Sequence, residues 1–367
     1  MPFLKKLSIS KIRNLDSVSL KPSTGFNLIY GQNGSGKTSL LESIYLLGRG
    51  KTFRSNSKAP IIQNDSDECV IFAELNDGQK LGFSRARSGS QRMLIDGEKA
   101  TSRAELAQIL PLQMLNADAF KILEGGPSVR RAFLDWGVFH VEHQFVINWR
   151  QAQKALLNRN SLLKNKIVNE EEVSPWTHEL CQYAEEVDRY RSDYSLTFKN
   201  ALNEMLKALL PLKGFSLSYF KGWDQTQSLE EILASNMQKD IKYGFTSAGP
   251  HRADLKIKIG KDMASDVLSR GQQKLLVIAM KLAQAKILKS ASNKGCIFLV
   301  DDLPAELDSA NKAKVLAILS EIGEQVFITG IEKDQLYEPL QKEKEMKLFH
   351  VEHGKINVVE SILGNDL

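Results

Sequence analysis

The segment Gly31-Gln-Asn-Gly-Ser-Gly36-Lys37-Thr38 constrains this chain more than any other. It fits GxxxxGK[ST], after the apolar run Phe26-Asn-Leu-Ile-Tyr30 and before a helix-forming stretch through Leu47. Glycines let backbone N–H groups close around an anion, and a helix N-terminus adds positive potential. Gly31, Gln32, Asn33, Gly34, Ser35, Gly36, Lys37 and Thr38 are therefore the candidate phosphate-binding residues. Lys37 is expected to reach the β- and γ-phosphates and Thr38 to ligate Mg²⁺. The competing reading is an ordinary glycine-rich turn.

A second signal is Asp301-Asp302 at the end of the apolar run Cys296-Ile-Phe-Leu-Val300. A buried strand delivers its terminal carboxylates to a fixed place. Asp301 is expected to hold Mg²⁺ and Asp302 to polarise an attacking water as general base. Standing alone, the pair is a polar turn after a strand. A third signal is Leu268-Ser-Arg-Gly-Gln272, where Ser269 and Gln272 fit a capping box. It reads either as a plain helix start or as a second anion-binding helix terminus. In the latter case Ser269, Gly271 and Gln272 cap the γ-phosphate of a nucleotide held by a second copy.

Around these signals the chain divides at changes of character. Residues 1–124 read as a β-rich lobe carrying the phosphate loop, with a hairpin turn at Asn76-Asp-Gly78. Residues 125–243 read as an inserted antiparallel helical arm. Trp176, Leu180, Tyr183, Val187, Tyr190, Tyr194, Phe198, Leu202, Met205 and Leu209 form one apolar stripe at helical spacing. Pro175 after Ser174 predicts the start of that helix, Gly137 a break upstream, and Glu170-Glu-Glu172 the tip of the arm. Residues 244–367 return to α/β character.

Composition sets the limits. With 367 residues, 42% hydrophobic and 25% charged, the chain can bury a core of about two domains. A net charge of +5 permits a nucleic-acid partner without demanding one. Cys69, Cys181 and Cys296 show no zinc spacing and fit a reducing, cytoplasmic setting. The start, MPFLKKLSIS, has no apolar signal core, and runs such as 275–280 are too short to span a membrane, so an integral membrane protein is excluded. His140 and His143 lack a carboxylate pattern that would make a metal site.

A phosphate loop, an LSxGQ-like element and an apolar strand ending in two aspartates resemble an ABC-type ATPase head. The helical insertion resembles the SMC class. Nearly end to end, the chain resembles the RecF family of recombination and repair proteins. The match includes Leu123-Glu-Gly-Gly-Pro-Ser-Val-Arg-Arg-Ala-Phe-Leu-Asp-Trp136, Ser247-Ala-Gly-Pro-His-Arg252, Leu268-Ser-Arg-Gly-Gln-Gln-Lys274 and Asp301-Asp302-Leu-Pro-Ala-Glu-Leu-Asp308. The resemblance implies an α/β fold: a P-loop NTPase head of the ABC type with an inserted helical arm. It implies ATP and Mg²⁺ as cofactors and weak, DNA-dependent ATP hydrolysis. It puts Gln113 at the Q-loop position near Mg²⁺ and the attacking water, Asp308 in a D-loop touching a second subunit, and Arg13 near the nucleotide, with a solvated charge as the equal reading of Arg13. Thr329 stands where many ABC proteins carry a switch histidine, and Asp302 where they carry glutamate. Ala117, Ala253 and Asn311 depart from the family pattern and put contacts of the D-loop and the 250s loop in doubt.

The resemblance further implies an ATP-driven head-to-tail homodimer on double-stranded and gapped or single-stranded DNA. It also implies a RecR-type mediator as partner, a part in recombinase loading, and induction of the SOS response. Three basic runs are free of acids: Arg49, Lys51, Arg54 and Lys58; Lys80, Arg85, Arg87 and Arg92; and Arg150, Lys154, Arg159, Lys164 and Lys166. None carries more than one aromatic among its cations, so phosphate contact is expected over base stacking, with Arg85, Arg87, Arg92, Arg49, Lys51 and Arg54 as the candidates. Each run also reads as a solvated charged face. The rivals are another SMC-like ATPase, a binding module with little turnover, and a transporter's ATPase subunit.

Overall fold

The computed structural model describes residues 2–54, 61–165, 167–302, 307–343 and 345–362. Lys58, Lys166 and residues 303–306 of the aspartate motif lie outside the described residues. The chain forms two compact units, one of Met1–Ala119 with Leu288–Leu367 and one of Phe120–Ile287.

The first unit begins with β1 (Leu4–Ile12), β2 (Leu15–Leu20) and β3 (Phe26–Tyr30), followed by α1 (Lys37–Arg49). After β4 (Glu68–Leu75), β5 (Lys80–Ala86), β6 (Gln91–Ile95) and β7 (Glu98–Lys99) come α2 (Arg103–Ile109) and β8 (Leu112–Leu115). The predicted hairpin joins β4 to β5, with Gly78 in the left-handed region its turn requires. One six-stranded sheet has the order β2-β1-β4-β5-β6-β7, and its paired strands are antiparallel.

In the second unit, α3 (Lys121–Glu124) and α4 (Pro127–Val141) lead into a hairpin of α5 (Phe145–Leu163) and α6 (Glu170–Leu209). At 40 residues, α6 is a rod of roughly 60 Å, and its predicted stripe is buried at Leu180, Val187, Tyr190, Tyr194, Phe198, Leu202 and Leu209. It begins earlier than Pro175 predicts. Asn169 accepts from the Glu171 N–H at 3.0 Å, and Glu170, Glu171 and Glu172 in the first turn complement the helix dipole. Pro175 then lies inside the helix. Gly137 does not break α4 either. A Cβ there would stand 2.1 Å from the Tyr194 hydroxyl oxygen, so the glycine is the gap into which that ring packs. The break comes instead at residues 142–144.

Beyond the hairpin, β9 (Phe215–Phe220), α7 (Leu229–Ser235) and α8 (Met237–Tyr243) precede β10 (Asp254–Ile259) and β11 (Asp262–Met263). A sheet in the order β11-β10-β9 binds residues on both sides of the expected boundary at 244. Arg130 forks onto Asp254 (2.7 and 3.0 Å), and Arg131 donates to the Ala253 carbonyl at 2.7 Å. These long-range bonds carry the unit on through α9 (Ala264–Val267) and into α10 (Arg270–Ser292). The arm unit is therefore larger than residues 125–243.

The chain returns to the first unit for β12 (Ile297–Val300), α11 (Ser309–Ile322), β13 (Val326–Gly330), α12 (Lys333–Tyr337), β14 (Met346–Glu352) and β15 (Lys355–Ile362). The second six-stranded sheet has the order β15-β14-β3-β13-β12-β8, parallel from β14 to β8. Its middle strands are buried along almost their whole length, as continuous apolar runs in parallel sheets are. Leu40, Leu41, Ile44 and Leu47 of α1 share one core with β1, β4 and β13, each worth about 2 kcal/mol of burial.

Candidate functional site

Register fixes the site. Tyr30 pairs with Gly330, Val300 with Ile328, and Val300 with Leu115, so four parallel strands end within two residues of one another. The loop after β3 brings Lys37 and Thr38 there, and the end of β12 brings Asp301 and Asp302. Thr329 stands on β13, between them. A cavity of about 440 Å³ is lined by these five residues with Arg13, Asn14, Asn33, Gly34, Gly36, Ser39 and Arg54.

The loop is held as a cradle. Gly31 (φ 150°) and Gly36 (φ 123°) occupy backbone conformations closed to other residues, and a Cβ on Gly31 would lie 2.2 Å from the Val351 carbonyl oxygen. Asn14, between β1 and β2, donates to the Gly34 carbonyl at 2.9 Å and accepts from the Ser39 hydroxyl at 3.0 Å. Nothing in the local sequence marks Asn14 as a loop clamp, because its partners are 20 or more residues away. The Gly354 N–H adds a bond to the Ser35 carbonyl at 2.9 Å.

Lys37 is buried and donates to the Gly31 and Gln32 carbonyls at 2.7 and 3.0 Å. Burial holds its pKa below the usual lysine value, against the opposing pull of Asp302 and Asp301. Asp301 Oδ1 accepts from Thr38 Oγ1 at 3.1 Å and from Thr329 Oγ1 at 2.7 Å. Thr329 Oγ1 in turn accepts from the Asp302 N–H at 2.8 Å. Asp302 takes φ 55°, a left-handed conformation that costs a non-glycine residue about 1 kcal/mol. Thr329 holds it there.

A second network closes the cavity wall. Arg13 forks onto the fully buried Glu42 of α1, with Nη2 to Oε1 at 3.0 Å and Nε to Oε2. The Thr52 hydroxyl also bonds Glu42, and the Arg54 N–H donates to Thr52 Oγ1 at 3.0 Å. Arg13 thus lines the same cavity as Lys37 and the two aspartates. Arg54, expected as a DNA contact, lines the same cavity.

The remaining candidates fall elsewhere. Gln113 is buried in β8 at the level of Phe298, short of the strand end, and is not among the residues lining the cavity. Ser269, Gly271 and Gln272 belong to the second unit and are exposed. Their capping box forms: the Ser269 N–H donates to Gln272 Oε1 at 3.0 Å and the Gln272 N–H to Ser269 Oγ at 3.4 Å. Asp308 caps α11, accepting from the Asn311 N–H at 2.9 Å and from Asn311 Nδ2 at 2.7 Å, bonds that hold its carboxyl below the usual range. The Arg49 guanidinium is drawn in against Tyr45, with Nε buried. Arg87 donates to the Gln63, Asn64 and Ser66 carbonyls. Lys51 and Arg92 are exposed, and Arg85 is half-buried on β5.

With the strands, the loop and the two aspartates placed, comparison with known proteins is direct. The family model for the RecF/RecN/SMC N-terminal domain matches residues 3–357. The chain belongs to this family. Within it, DNA replication and repair protein RecF of Pseudomonas entomophila (strain L48) is 45% identical over 357 residues, 96% of this chain and 97% of that protein. RecF of Pseudomonas fluorescens (strain Pf0-1) matches to the same extent, 45% over 357 residues. The structure of a RecF–ATP recombination mediator of the RecFOR pathway superposes with a TM-score of 0.86 at 26% identity, covering 98% of both chains. An Smc head bound to the C-terminal winged-helix domain of ScpA, at 17% identity and a TM-score of 0.59, shares the fold. The ABC-type head with its parallel sheet is thus that of RecF and SMC proteins.

The cavity of this RecF-family chain fits a nucleotide and its metal. Thr38 Oγ1 and Asp301 Oδ1 are hard oxygen donors of the kind Mg²⁺ takes. Ser35 Oγ is buried in the loop without a hydrogen-bond partner among the described residues. Lys37 meanwhile satisfies itself on loop carbonyls. Among the described residues no helix is long and apolar enough to cross a membrane.

Proposed function

We propose that the chain is an ATP-switched DNA-binding protein of replication and recombinational repair that hydrolyses ATP slowly in the cytoplasm. The convergence of Lys37, Thr38, Asp301, Asp302 and Thr329 on one cavity carries this reading. Lys37 exchanges its loop carbonyls for β- and γ-phosphate oxygens, and backbone N–H groups of residues 31–38 cradle the rest. Thr38 and Asp301 would hold Mg²⁺, which would supply positive charge against the phosphates. Asp302 accepts a proton from water as its oxygen attacks the γ-phosphorus and the bond to the ADP oxygen breaks, leaving ADP and phosphate. Aspartate reaches less far than the usual glutamate, in keeping with slow turnover.

A single head leaves the γ-phosphate side open in this reading. Ser269, Gly271 and Gln272 of a second copy close it, so ATP joins two chains head to tail and hydrolysis releases them. The exposed capped start of α10 supports that role. Duplex or gapped DNA is held through phosphates by exposed cations, Arg92 and Lys51 among them. A RecR-type mediator is the expected protein partner, taken from the pathway in which the RecF mediator stands. The first test is the chain's mass by light scattering with ADP and with ATP, with and without short duplex. A dimer with ATP alone, stabilised by duplex, is expected. A monomer throughout removes the trans-capping role of Ser269.

A further inference from the structure

The segment between α8 and β10 keeps two aromatic rings in solvent. Tyr243 is 56% and Phe245 40% exposed, and their rings stack with centroids 5.8 Å apart and planes at 28°. Single exposed aromatics are common, but a stacked exposed pair in a fixed setting is not. Cations frame it. Lys242 Nζ lies 5.9 Å from the Tyr243 ring centroid and the Arg252 guanidinium 5.2 Å from that of Phe245. Lys164 packs over Gly244, where an added Cβ would stand 3.3 Å from its Cγ.

The backbone beneath cannot relax to bury the rings. The Thr246 N–H and hydroxyl both donate to Asn160 Oδ1 at 2.7 Å, and the Ser247 N–H donates to Asp240 Oδ1 at 3.0 Å. Arg191 Nη1 donates to the Pro250 carbonyl at 2.8 Å. Asp240 is fully buried and ion-paired to Arg159 at 2.8 Å, so it repels nothing outside. The 247–252 motif therefore braces the loop from within and leaves its aromatic and cationic side chains outside.

We propose that Tyr243 and Phe245 form a stacking platform for the bases of single-stranded nucleic acid, with Lys164, Lys242 and Arg252 on its phosphates. Every base offers a π-face, and the Arg252–Phe245–Tyr243 array is one that a base extends without sequence preference. The cations match a polyanion. The platform is distinct from the nucleotide cavity and from the duplex-contacting cations of the first unit. It rests on the DNA-binding reading only in that the chain meets single strands.

The test uses the full chain with ATP and measures fluorescence anisotropy with labelled oligo-dT, oligo-U and a mixed-sequence duplex. The double variant Tyr243→Ala/Phe245→Ala is expected to bind single strands roughly 10- to 100-fold more weakly and duplex within about twofold of the parent. Tyr243→Phe keeps a ring and binds as the parent does. Oligo-dT and oligo-U separate DNA from RNA as the source of the stacked bases, and ring dependence on either supports the platform. Tyr243→Trp supplies an emission that single strands quench. Unchanged single-strand affinity in the double variant overturns the proposal and leaves the rings to a protein partner. Equal weakening on single strand and duplex overturns it too. A parent chain that binds duplex but no single strand overturns the platform while the proposed function stands.

Discussion

The Thr329 hydroxyl donates to Asp301 Oδ1 at 2.7 Å and accepts from the Asp302 N–H at 2.8 Å. One side chain on β13 therefore fixes both acidic residues that follow β12. It orients the carboxylate that faces Thr38, and it pins the left-handed backbone of the other.

Thr329→Val keeps the shape and removes both bonds. A hydrogen bond to a charged group is worth about 1.5–3 kcal/mol, so ATP turnover should fall roughly 10- to 100-fold. ATP affinity should change less than about threefold, since Lys37 and the loop are untouched. Thr329→Ser should recover most of the rate. Steady-state hydrolysis alongside nucleotide binding checks this, and equal losses in both would show that Thr329 supports the whole cradle.

Lys37→Met should abolish ATP binding, while Asp302→Asn should preserve binding and stop turnover. The split separates phosphate grip from water activation. Equilibrium binding of a fluorescent ATP analogue and single-turnover hydrolysis read the two steps. Retained ATP affinity in Lys37→Met would remove the phosphate-loop assignment.

Ser269→Arg should leave ATP binding intact and block the ATP-dependent dimer. Ser269 and Gln272 cap α10, and the cap is worth about 1 kcal/mol of local stability, so a melting control is needed. A variant that melts as the parent does and still dimerises with ATP would exclude capping in trans.

The basic run from β5 to β6 has one cation in solvent and another held on carbonyls. Arg92 is exposed, whereas Arg87 braces the Gln63, Asn64 and Ser66 carbonyls. Arg92→Glu should weaken duplex binding and lower the slope of log affinity against log salt by about 1. Arg87→Glu should also lower the melting temperature, because it strips a loop of three carbonyl partners. An unchanged salt slope in Arg92→Glu would take that strand out of the DNA footprint.

What the sequence made legible was local. The phosphate loop and the two aspartates lie next to apolar runs that had to be strands, and the arm shows its stripe at three- and four-residue spacing. What it hid depends on partners far along the chain. Asn14 clamps Gly34 and Ser39, 20 and 25 residues away, and β9 pairs with β10 across the expected boundary. Gly137 reads as a breaker until Tyr194 is seen to fill its place. Arg54 and Arg49 look alike in a basic run, yet one lines the cavity of Lys37 and the two aspartates and the other folds back onto Tyr45.

Glu324 gives the first unit a pH dependence. It is 4% exposed, Oε1 has no hydrogen-bond partner among the described residues, and Lys289 donates to the Ile322 carbonyl. Burial, only partly offset by Lys289 and the Cys296 N–H, raises its carboxyl to about 7. Below the unfolded value of about 4.3, both states carry the proton and nothing is lost. Between there and about 7 the unfolded chain gives up a proton that the folded chain keeps, so stability falls as pH rises. Above that range the full cost, on the order of 3 kcal/mol, bears on the fold. Glu324→Gln keeps an oxygen for the Cys296 N–H and removes the charge. Its melting temperature should exceed the parent's by several degrees at pH ~8 and converge with it near pH ~4.5. Thermal melts across that range decide the matter, and parallel curves for the two proteins would mean that Glu324 is ionised in its buried site without cost.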